Sequence, residues 1–227
     1  MLFLKIRSRI AGTLYLMKIG IEKFIRGFYT EQHQLTSTTY FDRYPDLFNE
    51  VKHISGAHDA AINILSFGCS TGEECFTLRT YFPKAKIIGV DINESNLRKA
   101  RKGNKDVNIH FLISNTHTIS VNGKYNIIFL LSVLCRWEDT RDLENCEKVY
   151  PFKKFEETVG SLVSQLLTGG LLVIYNSNFR FEDSKYFKDF EIMETPTVAD
   201  SGFVTKFDSE NKRISSLHRT CIYRRVR

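Results

Sequence analysis

Two features of this 227-residue sequence have the residue types and spacing to do chemistry together: the run Gly68-Cys69-Ser70-Thr71-Gly72, and Asp91, nineteen residues past Gly72. Gly68 and Gly72 let a backbone turn sharply out of a strand into a helix and approach a ligand closely. Ser70 stands where dinucleotide loops usually carry a middle glycine. The helix that follows opens with Glu73 and Glu74. Carboxylates there suit the helix dipole but repel a pyrophosphate lying on the same N-terminus. The pattern therefore favours a nucleoside without phosphates. Asp91, at the carboxyl end of the next strand, is placed to accept both ribose hydroxyls, as acids do in nucleoside-binding α/β sheets.

These residues also carry a family likeness. Ser66-Phe67-Gly68-Cys69-Ser70-Thr71-Gly72-Glu73-Glu74 resembles the nucleotide loop of the chemotaxis-receptor glutamate methyltransferases, within the class I methyltransferase superfamily. Gly89-Val90-Asp91-Ile92-Asn93, followed by Leu97-Arg98-Lys99-Ala100-Arg101, resembles the next stretch of that family. Residues 125–137 and 167–174 resemble the fourth and fifth strands of the superfamily at large, so the likeness spans residues 60–175. It implies S-adenosylmethionine as cofactor, with Gly68, Cys69, Ser70 and Gly72 against its methionine and ribose portions. Asp91 would hold the ribose, Ile92 would pack on the adenine, and Asn115 would bond the adenine edge. An ordinary turn residue is the other reading of Asn115. Leu131-Ser132-Val133-Leu134 departs from the receptor-specific family's Asn-containing signature, and that family has a larger helical N-terminal domain. The fold and cofactor carry over, and the receptor-glutamate substrate does not. Residues 44–48 and 176–181 are also similar to a bacterial group of stand-alone methyltransferases.

Methyl transfer from a sulfonium is an in-line displacement, in which positioning alone can supply about 7–11 kcal/mol. The acceptor is expected past the fourth strand, in a pocket of Tyr40, Tyr44, Ser132, Arg136 and Trp137. Arg136 either pairs with an anionic acceptor or is a surface arginine. No Asn/Asp-Pro-Pro-Tyr/Phe run and no Pro-Cys pair occurs, which demotes amino- and cytosine-methylating DNA enzymes. Cys135 reads as a core residue rather than a nucleophile. Glu138, Asp139 and Asp142 read as a solvated loop rather than a cation site.

The elements that must position these groups alternate strand and helix from residue 61. Strands are expected at 61–67, 86–91, 109–113, 125–131 and 171–175, with helices at 74–82, after Asn93, and at 155–167. That rhythm predicts a doubly wound, mostly parallel Rossmann-like sheet. Residues 203–207 and 220–224, around Asp208-Ser209-Glu210-Asn211, predict a closing antiparallel hairpin. Residues 60–227 thus form the methyltransferase domain. Residues 1–59 form an N-terminal helical extension, whose Ile6, Ile10, Leu14, Met17, Ile21, Phe24 and Phe28 make one apolar stripe. A lid, a dimer contact and a membrane-surface helix remain open for it. Pro45 suits the first turn of a further helix through Val51.

Composition bounds the rest. Hydrophobic residues at 42% and charged residues at 26% fit a globular domain. A net charge of +6 suits acidic partners, yet no aromatic-basic cluster marks a nucleic-acid reader. Five cysteines without a CxxC pair, and scattered histidines, predict a reducing, cytoplasmic setting and no structural metal. No signal peptide is evident. Two rivals remain: a cofactor-binding interaction module without catalysis, and an α/β-hydrolase using Ser70 in a G-x-S-x-G elbow with Asp200 or Asp208 and His218. The absence of earlier strands, and the unexplained Asp91, count against the hydrolase.

Overall fold

The computed structural model describes residues 32–34, 36–57 and 60–227. The N-terminal stripe lies outside the described residues. Residues from Gln34 to the end form one compact unit.

Strands β1 (Asn63–Phe67), β2 (Lys86–Asp91) and β4 (Tyr125–Leu131) are short apolar runs with burial on both faces, while β3 (Ile109–Ile113), at the sheet edge, leaves His110 and Ile113 exposed. Burial on both faces is the pattern of a parallel sheet covered on two sides. With β5 (Leu166–Tyr175), β6 (Phe190–Ile192) and β7 (Ile222–Arg225) they make one sheet in the order β3-β2-β1-β4-β5-β7-β6. The first five strands pair parallel, and β7 runs antiparallel to both neighbours. The expected doubly wound sheet with a C-terminal antiparallel closure is borne out.

Two details differ from expectation. Helical residues stop at Val163, and β5 begins at Leu166, before Gly169-Gly170. The glycines form an irregularity inside the β4–β5 pairing, where Gly169 adopts φ 81°. The closing pair joins 190–192 to 222–225, not 203–207 to 220–224. Residues 203–207 instead turn inward, burying Val204, Lys206 and Phe207. The residues 208–211 do make the tight turn foreseen, with Asn211 N bonded to Asp208 O at 2.9 Å.

One face of the sheet carries α1 (Pro45–Ser55), α2 (Glu73–Tyr81) and α3 (Glu94–Gly103). The other carries α6 (Phe152–Val163) over Leu65, Ile128 and Leu172. Short helices α4 (Thr116–Val121) and α5 (Trp137–Thr140) follow β3 and β4. Pro45 sits in the first turn of α1, where its missing N–H costs nothing. Phe48 of α1 is 1% exposed and meets Phe129 at 5.8 Å and Tyr81 at 5.4 Å. Truncating it to Ala would cost about 3–5 kcal/mol. No helix among the described residues is long and apolar enough to cross a membrane.

The strand order reverses between β1 and β4. In open α/β sheets the crevice beyond the strand ends at such a reversal is where ligands bind. The candidate residues after β1 and β4 both lie there.

Candidate active site

The loop after β1 is built from left-handed residues at alternate positions: Gly68 at φ 79°, Ser70 at 50° and Gly72 at 98°. A side chain at Gly68 would overlap Val133, and one at Gly72 would lie 2.8 Å from the Phe111 ring. The loops after β1 and β4 therefore touch, and only glycine fits at Gly68. Ser70 adopts the conformation a glycine would take more cheaply, at a cost of roughly 1–2 kcal/mol.

Backbone bonds hold this loop to β2. Gly68 N and Cys69 N donate to Val90 O at 2.8 and 3.0 Å. Asp91 completes the tie: its Oδ2 accepts from Ser70 N at 2.9 Å and its Oδ1 from Asn93 N at 2.7 Å. Burial raises the Asp91 carboxyl, and the N–H groups of Asn93, Ser70 and Ile92 pull it back. A carboxylate offers about four lone pairs, so the bonds from Ser70 N and Asn93 N leave room for hydroxyl donors. Half-buried Ile92 lies beside it. Cys69 is buried, which holds its thiol well above the usual range. Asn115 caps α4 through a 2.7 Å bond from Thr118 N to its Oδ1.

A strap of residues 36–43 lies against this loop. Ser37 O accepts from Ser70 Oγ at 3.2 Å, and Ser37 Oγ accepts from Asn96 Nδ2 at 3.1 Å. Thr77 Oγ1 accepts from Asp42 N, and Phe41 stacks on Phe76. The strap delivers Arg43, whose guanidinium lies 5.0 Å from the Tyr44 ring and 5.6 Å from that of Tyr40. Tyr44 Oη and Ser132 Oγ share a 2.7 Å hydrogen bond, bringing two of the expected acceptor residues together past β4. Burial raises the Tyr44 phenol, so it stays protonated at neutral pH.

Comparison with known proteins fits this geometry. A methyltransferase-domain family model matches residues 58–213. The chain belongs to the methyltransferase-domain family. It is similar to N-methyltransferase NodS from Bradyrhizobium japonicum WM9, with a TM-score of 0.53 and 15% identity over 82% of this chain and 100% of that one. TehB from Haemophilus influenzae gives a TM-score of 0.51 and 16% identity over 80% of this chain and 62% of that one. At such identities the likeness is one of fold. A chemotaxis protein methyltransferase from Campylobacter jejuni is 36% identical over 70 residues, 29% of this chain. The match spans 27% of that relative's length.

Within this methyltransferase-family domain Arg136 and Trp137 make contacts of their own. Arg136 has its side chain 11% exposed, 3.7 Å from Asp139 and acting on buried Tyr150. Trp137 packs at 4.9 Å on Phe203, itself 62% exposed. The Ser-Asp-His triad of a hydrolase is not formed. Ser70 Oγ is engaged with Ser37 and Asn96, and the His218 ring nitrogen Nε2 lies 3.0 Å from Glu182. Among the described residues no cluster suits a metal ion.

Of four further site residues, Arg43 and Asn176 carry no obvious signal in the sequence, while Glu74 reads there only as a helix-start carboxylate and Asp200 only as a triad candidate. Arg43 and Glu74 are opposite charges acting on one another. Glu74 accepts from Ser66 Oγ at 2.7 Å, and burial pushes its carboxyl up to about 7. Asn176, just past β5, donates its Nδ2 to the Ser132 hydroxyl, and Asp200 accepts from Asn176 N. A lone Arg or Asn in a loop looks alike whether or not it faces a site, and only the topology brings these four together.

Proposed function

We propose that this methyltransferase binds S-adenosylmethionine along the loop 68–72 and Asp91, and transfers its methyl group to an acceptor entering over Tyr44 and Ser132. The observation that carries the reading is Asp91, whose carboxylate ties the left-handed loop to the end of β2 with lone pairs to spare.

The residues present suit such a donor. The loop offers backbone close enough for a ligand to lie on, and Asp91 suits two ribose hydroxyls. Arg43 supplies a positive charge complementary to an amino-acid carboxylate, and Glu74, its carboxyl pushed up to about 7, offers an acceptor for the ammonium. Asn115, its Oδ1 engaged as the helix cap, can turn an amide N–H toward an adenine edge. Bound donor supplies a sulfonium-activated methyl group, so the protein's own task is orientation and exclusion of water. The strap over Ser70 and Asn96 suits that task.

On the acceptor side Tyr44 holds its proton, so it orients an acceptor by hydrogen bonding and does not act as a base. Small molecules, glycans and protein carboxylates or hydroxyls all match a pocket of this kind. Mass spectrometry of co-purified ligand, followed by calorimetric titration of S-adenosylhomocysteine, tests the reading. A nucleoside thioether or sulfonium in the protein is the expected result, and no binding at millimolar concentration would contradict it.

A further inference from the structure

Adjacent strands β4 and β5 end alike. Ser132 and Asn176 both take left-handed backbone at φ 54°, although neither is glycine. Each follows a paired residue, Leu131 opposite Tyr175, and Ser132 N donates to Tyr175 O at 2.8 Å. Such conformations persist only where their surroundings over-determine them, and they cluster at functional sites.

The surroundings of Asn176 do over-determine it. Its N–H donates to Asp200 Oδ2 at 2.9 Å, and its Oδ1 accepts from Ser201 Oγ. Its Nδ2 donates to Ser132 Oγ at 2.9 Å. Asp200 is in turn fixed by Lys206, whose Nζ donates to Asp200 Oδ2 at 3.1 Å and to Ser177 O at 2.6 Å. The Asp200 and Lys206 side chains are 1% and 7% exposed. A buried ion pair is weak evidence for stability, since apolar residues of similar volume often serve as well. Here the pair has another visible consequence, because the chain of bonds runs on through Asn176 to Ser132 and ends on Tyr44.

We propose that Asp200 and Lys206 are positioning residues for the acceptor face: acting through Asn176, they fix Ser132 so that its hydroxyl is held against that of Tyr44. That this face receives the acceptor rests on the methyl-transfer reading. The bonded relay itself does not.

The test reads the Tyr44 phenol directly, by NMR of protein carrying ¹³Cζ-tyrosine, with the Tyr44 signal identified by its loss in Tyr44→Phe. The Ser132 bond lowers the Tyr44 pKa against the effect of burial, while Arg43 lowers it and Glu74 and Tyr175 raise it. Ser132→Ala should therefore shift it upward and sets the scale. Asn176→Gly changes no charge and suits the left-handed backbone, and should shift it upward too. Asp200→Leu/Lys206→Met removes both charges together and should do the same. Asp200→Asn/Lys206→Met keeps an oxygen that can accept from Asn176 N, and should return Tyr44 toward its wild-type titration. A wild-type titration, or a downward shift, in folded Asn176→Gly would overturn the proposal. If the double variants fail to fold, Asn176→Gly still decides. A parallel titration of S-adenosylhomocysteine keeps the two claims apart, since its failure to bind would contradict methyl transfer and leave the Tyr44 result intact.

Discussion

Ser66, inside β1, donates a 2.7 Å hydrogen bond to Glu74 in the first turn of α2, and that bond holds a carboxyl whose burial pushes it up to about 7. Glu74 thus binds its proton more tightly in the folded chain than at the ordinary value of 4.5. Its ionisation opposes folding. The contribution of this group to stability should be greatest below about pH 4.5 and fall by roughly 3 kcal/mol as pH rises toward 7. Glu74→Gln keeps the hydrogen-bonding shape without the charge. Denaturant unfolding of both proteins between pH 4.5 and 8 should show the variant gaining on wild type as pH rises. Parallel stability curves would contradict the assignment.

Gly68 is restricted twice, by its left-handed backbone and by the Val133 side chain where a Cβ would stand. Gly68→Ala should lower stability by about 1–3 kcal/mol and weaken donor binding, because the loop must shift. Adding Val133→Ala should relieve the overlap and recover part of the loss, leaving the backbone strain. Thermal melts of the single and double variants check this, and a double variant no better than the single would contradict it.

Asn115 combines two roles that substitution can separate. Asn115→Ala removes the cap of α4 and should cost about 1 kcal/mol. Asn115→Ser keeps a capping oxygen but loses the amide N–H. If the amide reads the adenine edge, both variants should bind S-adenosylhomocysteine several-fold more weakly, while only the Ala variant melts early. Unchanged affinity in the Ser variant would return Asn115 to a purely structural role.

Local signals made much of this legible. Continuous apolar runs located β2 and β4 at the bounds observed, because buried parallel strands leave no polar face to blur them. Asn93 announced its helix, accepting from Ser95 N at 3.0 Å. The loop 68–72 and Asp91 were readable because conformational need and charge act within a few residues. What stayed hidden depends on distant partners. Asn176 and Ser132, bonded to one another, lie 44 positions apart. The segment 203–207 alternates like a strand, but Lys206 turns inward to Asp200, a pairing that propensity cannot reveal. Gly169-Gly170 looked like a helix stop and proved to be an irregularity within β5.

The central claim is that Asp91 and the loop 68–72 hold a nucleoside donor, and isothermal titration of S-adenosylhomocysteine tests it most directly. Wild-type protein freed of co-purified ligand should bind. Asp91→Ala should lose about ten- to a hundredfold in affinity, the worth of charge-assisted bonds to two hydroxyls. Asp91→Asn should lose less, since its amide oxygen still accepts. Ser70→Ala removes a hydroxyl directed at Ser37 and leaves the Ser70 N–H on Asp91, so its loss should be about tenfold or less. An Asp91→Ala variant that binds like wild type, or a wild-type protein showing no heat of binding at millimolar ligand, would contradict the account.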